Sequence, residues 1–105
     1  NIYVNSQNHG FDPVGYLEAI SVNLVQQFHL AGYEKTEKLL IDNHGAPVYP
    51  EVWALYRSAV ERFGALPTCI EWDNQVPAWK ILMEESHKAQ AVLQGLPEKE
   101  LYAAS

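Results

Sequence analysis

The sequence predicts an α/β protein built on parallel strands. Three observations carry that prediction. Short runs of β-branched and aromatic residues alternate with longer segments of helical period, in the order strand, helix, strand, extended run, helix, strand, helix. Helix signals punctuate that order at Asp12-Pro13, Pro50, Gly64 and Gly95. Polar, acid–base or metal-competent residues follow each strand, where open α/β sheets and α/β barrels build their active sites.

Taken in order, Ile2-Tyr3-Val4 reads as a short strand buried on both faces. A polar loop over residues 5–10 follows. Asp12 is suited to cap a helix and Pro13 to occupy its first position, with Tyr16, Leu17 and Ile20 at helical spacing. Leu24 to Leu30 reads as the second strand, ended by Ala31-Gly32. Leu39-Leu40-Ile41 is a third extended run. The gap before it is too short for a parallel crossover, so it is either hairpin-paired to the second strand or a separate segment. Trp53, Tyr56, Val60 and Phe63 mark one face of an amphipathic helix that Pro50 starts and Gly64 caps. Thr68 to Trp72 reads as the fourth strand. A last helix spans about Ala78 to Leu93 and is stopped by Gly95 and Pro97. Beyond lies a tail over 97–105, either frayed or docked only through Leu101 and Tyr102.

Composition narrows the function classes. The chain has 105 residues with 48% hydrophobic and 19% charged, the balance of a globular protein. Its 7 Lys+Arg against 13 Asp+Glu give a net charge of −6. That excess argues against nucleic acid, which needs a basic stripe, and against an anionic membrane surface. No membrane span and no signal peptide are expected. The one cysteine, Cys69, excludes an internal disulfide framework and points to a reducing, cytoplasmic setting.

The strand-end residues are Asn5, Asn8 and His9; then His29; then Asp42 and His44; then Glu71 and Asp73. Asp42 and His44, two apart on an extended backbone, would point to one face, as would Glu71 and Asp73. Imidazoles, carboxylates and amide oxygens without a thiolate cluster suit iron, manganese or zinc. Each residue also has an ordinary structural reading. His29 between Phe28 and Leu30 could be a satisfied core histidine. Asp42-Asn43-His44-Gly45 has turn composition. His9 could be a loop residue, His87 a solvated helical one, and Cys69 a packed small hydrophobe. Trp53, Trp72 and Trp79 read as core. Glu71 between Ile70 and Trp72 is the hardest to explain away, because a carboxylate in a buried strand calls for a cation.

Five segments in order resemble one known family. They are Asn5-Ser6-Gln7-Asn8-His9-Gly10-Phe11-Asp12-Pro13; His29-Leu30-Ala31-Gly32-Tyr33; Leu40-Ile41-Asp42-Asn43-His44-Gly45 with Pro47-Val48; Pro50-Glu51-Val52-Trp53; and Ile70-Glu71-Trp72-Asp73-Asn74. Together they resemble the multinuclear non-heme iron-dependent oxidative enzymes, long catalogued as an uncharacterised-domain family, and the likeness runs to about Ala91. The resemblance implies a (β/α)8 TIM barrel with two or three irons at its mouth. It also implies oxidation of cysteine residues in peptide substrates with O2, and a partner protein that presents the peptide. On this sequence His29, Asp42, His44 and Glu71 fall on iron-ligand positions. Asn5 and Asn8 fall where the family places an amide and an acidic or amide ligand. Asp73 would orient a ligand or the substrate.

A barrel of this kind needs ~250 residues, and further ligands would come from strands that precede this segment. The expectation is therefore that residues 1–96 form the carboxy-terminal part of a TIM barrel. The rest of the barrel or another chain would complete it, and the segment alone would be inactive. Two other readings stand beside this one: a xylose-isomerase-like metal-dependent isomerase or endonuclease, and a non-catalytic interaction fragment.

Overall fold

The computed structural model describes residues 1–95. The expected stop at Pro97 and the tail over 97–105 lie outside the described residues. The fold is mixed α/β: α1 (Ile2–His9), α2 (Pro13–Glu18), β1 (Phe28–Ala31), β2 (Glu34–Lys35), β3 (Leu40–Ile41), α3 (Pro50–Phe63), β4 (Thr68–Glu71) and α4 (Trp79–Leu93).

β1 and β4 pair in parallel, with Phe28 opposite Thr68 and Ala31 opposite Glu71. α3 lies between them in the chain, and α3 and α4 pack on one face of the pair. Strand alternation sends Leu30 and Ile70 into that core. There they meet Val48, Trp53, Tyr56, Ala89 and Val92. Phe28 packs edge-on to Tyr56 at 5.5 Å, and the Tyr56 hydroxyl bonds that of Thr68 at 2.7 Å. The amphipathic reading of α3 holds: Trp53 and Tyr56 are buried, while Val60 and Phe63 are half-buried. Glu51 in its first turn and Arg62 in its last complement the helix dipole. α2 starts as expected, with the Asp12 side chain accepting the Val14 N–H at 3.1 Å.

Several expectations are corrected. Ile2-Tyr3-Val4 is the first turn of α1 rather than a strand, and most of the expected polar loop continues that helix. Three apolar residues cannot distinguish the two forms. The helix satisfies its own backbone groups, buries Val4 and Ser6, and stops at Gly10 with φ 74°. The second strand starts at Phe28, not Leu24: residues 22–24 form a 3₁₀ turn, and Leu24 is 75% exposed. Its partner explains the boundary. The Phe28 N–H reaches the Pro67 carbonyl at 2.9 Å, and Pro67 has no N–H to continue the ladder.

The third run does form a hairpin, but with β2, a two-residue strand inside the supposed gap. Thr36 closes the turn through bonds to Leu39. Glu34 and Lys35 are both exposed and carry no hydrophobic pattern, so nothing in the sequence marks them as a strand. Cys69 is exposed rather than packed, alternating with the half-buried Thr68 and Ile70 along β4. Trp79 is likewise 73% exposed, whereas Trp53 is core. Among the described residues no helix is long and apolar enough to cross a membrane.

Candidate metal centre

The uncovered face of the parallel pair carries the chemistry. Alternation places His29, Ala31, Cys69 and Glu71 there, opposite Leu30 and Ile70. The register then sets His29 Nδ1 directly against Glu71 Oε1. These residues are 42 apart in sequence and meet only because β1 and β4 are neighbours.

The other half of the cluster comes from the loop after β3. His44 adopts φ 52°, left-handed backbone that histidine tolerates better than most residues. Three contacts hold it there. The Asp73 N–H donates to the His44 carbonyl at 2.8 Å, the Asn74 amide donates to the Asn43 carbonyl, and the Gly45 N–H donates to Asn43 Oδ1 at 3.1 Å. Gly45 lies against the Asn74 amide with no room for a Cβ. The turn composition of residues 42–45 is thus realised, and the turn sets Asp42 and His44 side by side. The turn, rather than strand alternation, brings His44 Nε2 to 2.7 Å from Asp42 Oδ1.

His44 Nδ1 lies 2.8 Å from Asp73 Oδ2 and 3.2 Å from Glu71 Oε2. His44, Glu71 and Asp73 offer donor atoms within 4.8 Å of one another. The hydrogen bond to Asp73, helped by the nearby Asp42 and Glu71 charges, raises the His44 pKa above its ordinary value against the opposing effect of burial. Three carboxylates converging on one imidazole make a strongly cation-seeking site. Nitrogen and carboxylate oxygen donors without thiolate are what borderline divalent metals take. The donor set therefore fits a metal ion.

Of the residues singled out in the sequence, the structure joins His29, Asp42, His44, Glu71 and Asp73 in one connected network. It does not bring the other two amides into direct contact with it. Asn5 and Asn8 lie on α1: the Asn5 amide donates to Asn1 Oδ1 at 3.3 Å, and the Asn8 amide is engaged on the Leu40 backbone. His9 and His87 are exposed. Sequence reading missed Asn1, whose amide donates to Asp42 Oδ2 at 3.1 Å. It also missed Asn43 and Asn74, which hold the loop. Asn1, Asn5 and Asn8 follow helical spacing, a signal that is legible only once residues 2–9 are recognised as a helix.

A mixed α/β fold with a histidine–carboxylate cluster where its chain segments converge defines a candidate metalloprotein. Comparison with known proteins gives the family. Residues 1–94 match the family model described as RiPP precursor modification enzyme MbnB/TglH/ChrH, and the chain belongs to that family, the one its motifs resemble. It is 50% identical over 93 residues to a UPF0276 protein of Acaryochloris marina, an alignment covering 89% of this chain and 34% of the relative. A UPF0276 protein of Anaeromyxobacter is 46% identical over 92 residues, 88% of this chain and 32% of the relative. One of Caulobacter vibrioides is 48% identical over 91 residues, 87% and 32% respectively. The chain thus spans about a third of the length of the curated relatives it matches. No solved structure matches it.

Proposed function

We propose that this chain is the metal-holding portion of an enzyme that modifies ribosomally made precursor peptides. In this reading it oxidises their cysteine residues, with O2 as the oxidant that accepts the electrons removed. The observation that carries the proposal is the convergence of His29, Asp42, His44, Glu71 and Asp73 from three chain segments on one uncovered sheet face. A parallel sheet is normally covered on both faces. This supports a (β/α)8 barrel in which residues 1–96 are the carboxy-terminal part and the rest of the barrel closes over that face.

In this reading His29, Asp42, His44 and Glu71 hold iron, two or three ions in the complete protein, with zinc or manganese as the alternatives the donors allow. Bound iron would supply the redox chemistry with O2. The chain's own residues prepare for it. Asp73 takes His44 Nδ1 and fixes the ring, the latch of Asn43, Gly45 and Asn74 fixes the loop, and Asn1 orients Asp42. Asn5 and Asn8 stand outside the ligand set. The substrate is a cysteine-containing peptide, presented by a partner protein, in the cytoplasm where its thiols stay reduced.

The test is metal analysis of the full-length protein purified without oxygen. More than one iron per chain, lost together in His44→Ala and Glu71→Gln, is expected. A single zinc or manganese would favour an isomerase-type barrel, and a wild-type protein that takes up no metal would overturn the proposal.

A further inference from the structure

The amide stripe of α1 runs along the hairpin that carries the site loop. At its far end, Asn8 Oδ1 accepts the Leu40 N–H at 2.8 Å, and Asn8 Nδ2 donates to the Leu40 carbonyl at 2.9 Å. This is the paired contact a neighbouring strand would make. It is available because Thr36 and Leu39 form the hydrogen-bonded pair of the hairpin, which turns the N–H and C=O of the next residue, Leu40, away from β2. A side-chain amide offers a donor and an acceptor side by side to meet them. Two residues beyond Leu40 is Asp42, which meets Asn1 at the other end of the same stripe and His44 across the loop.

We propose that Asn8 is a positioning residue for Asp42: its amide docks β3 on α1 and thereby sets where the Asp42 carboxylate stands in the metal centre. The inference rests on the reading that Asp42 helps hold a metal. It assigns Asn8 a role through the backbone of Leu40 in place of direct ligation. Gln7, whose amide reaches only Ser6 on the same helix, is the internal control.

The experiment is anaerobic Fe(II) titration of the full-length protein against a competing chelator. It compares wild type, Asn8→Leu, Asn8→Asp, Gln7→Leu, Asp42→Asn and the Asn8→Leu/Asp42→Asn double variant. Hydrogen exchange of the Leu40 amide is followed in the metal-free proteins. Asn8→Leu should weaken Fe(II) binding by about tenfold or more and speed Leu40 exchange. Asn8→Asp keeps the acceptor but loses the donor, so it should fall between Asn8→Leu and wild type; it supplies the answer if Asn8→Leu does not fold. Gln7→Leu should stay within about threefold of wild type. In the Asp42→Asn background, Asn8→Leu should cause little further loss, because both act through one carboxylate. Wild-type affinity in both Asn8 variants, or losses that multiply in the double variant, would overturn the inference while leaving the metal reading standing. No Fe(II) binding by wild type would overturn both, even with Leu40 exchange altered in Asn8→Leu.

Discussion

His44 and Asp73 hold each other twice. The Asp73 N–H donates to the His44 carbonyl, and the Asp73 carboxylate takes His44 Nδ1, each at 2.8 Å. The backbone bond pins the left-handed turn at His44, and the side-chain bond fixes which way its ring faces.

Asp73→Asn should therefore separate the two contacts. The backbone bond survives, so the loss of stability should stay below about 1 kcal/mol, as is usual for an exposed pair. Metal affinity should drop by roughly 10–100-fold, the usual cost of losing a group that orients a histidine ligand. Parallel chelator competition and urea unfolding measure both. Equal losses in the two would show that Asp73 serves the fold rather than the ring.

The two faces of β1 should respond oppositely to truncation. Leu30 is 6% exposed within the core, and Leu30→Ala should cost roughly 2–5 kcal/mol. His29, one residue earlier on the uncovered face, should cost about 1 kcal/mol or less when replaced by Ala, with its loss appearing in metal binding instead. Denaturant midpoints and metal titrations of the two variants check the contrast.

Gly32 has no room for a side chain, since a Cβ would strike the carbonyls of Ala46 and Pro47. These are backbone atoms and cannot swing aside. Gly32→Ala should cost about 3 kcal/mol or abolish folding, read as a lowered Tm or as insoluble protein.

Glu85 on α4 is 3% exposed, and one of its carboxylate oxygens is buried without a hydrogen-bond partner. Burial raises its pKa from the ordinary 4.5, while Lys88 and the backbone N–H of Val48 oppose the rise. The folded state then holds this proton more tightly than the unfolded chain. Stability contributed by the protonated form is present near pH 4.5 and declines as pH rises through the raised value. Glu85→Gln should flatten that decline and be the more stable form at neutral pH. Urea midpoints across pH 4.5–8 test this, and an unchanged slope in the variant would assign the pH dependence elsewhere.

The helices α3 and α4 were legible because a long amphipathic period with glycine stops has few competing interpretations. The strand Thr68–Glu71 was legible because Pro67 and the run of β-formers bound it. The first segment was not, since Ile2-Tyr3-Val4 is too short for a period and its helix is told by amides whose partners lie far along the chain. Nor was β2, whose Glu34 and Lys35 pair through backbone alone. The same division holds at the site. His29, Asp42, His44 and Glu71 announce themselves by residue type at strand ends. Asn1, Asn43 and Asn74 act by hydrogen bonds to carboxylates or to bare backbone, and no spacing encodes those contacts.

The residues of the candidate centre lie far apart in the chain, His29 and Glu71 by 42 residues and His44 and Asp73 by 29. An unfolded chain does not bring such groups together, so any ion that grips them is paid for by folding. Ligand at a hundred times its dissociation constant adds about 2.7 kcal/mol to a folded state that alone can bind it. A cell short of metal would consequently contain less of this protein, not merely an idle pool of it. Its abundance would then report metal supply.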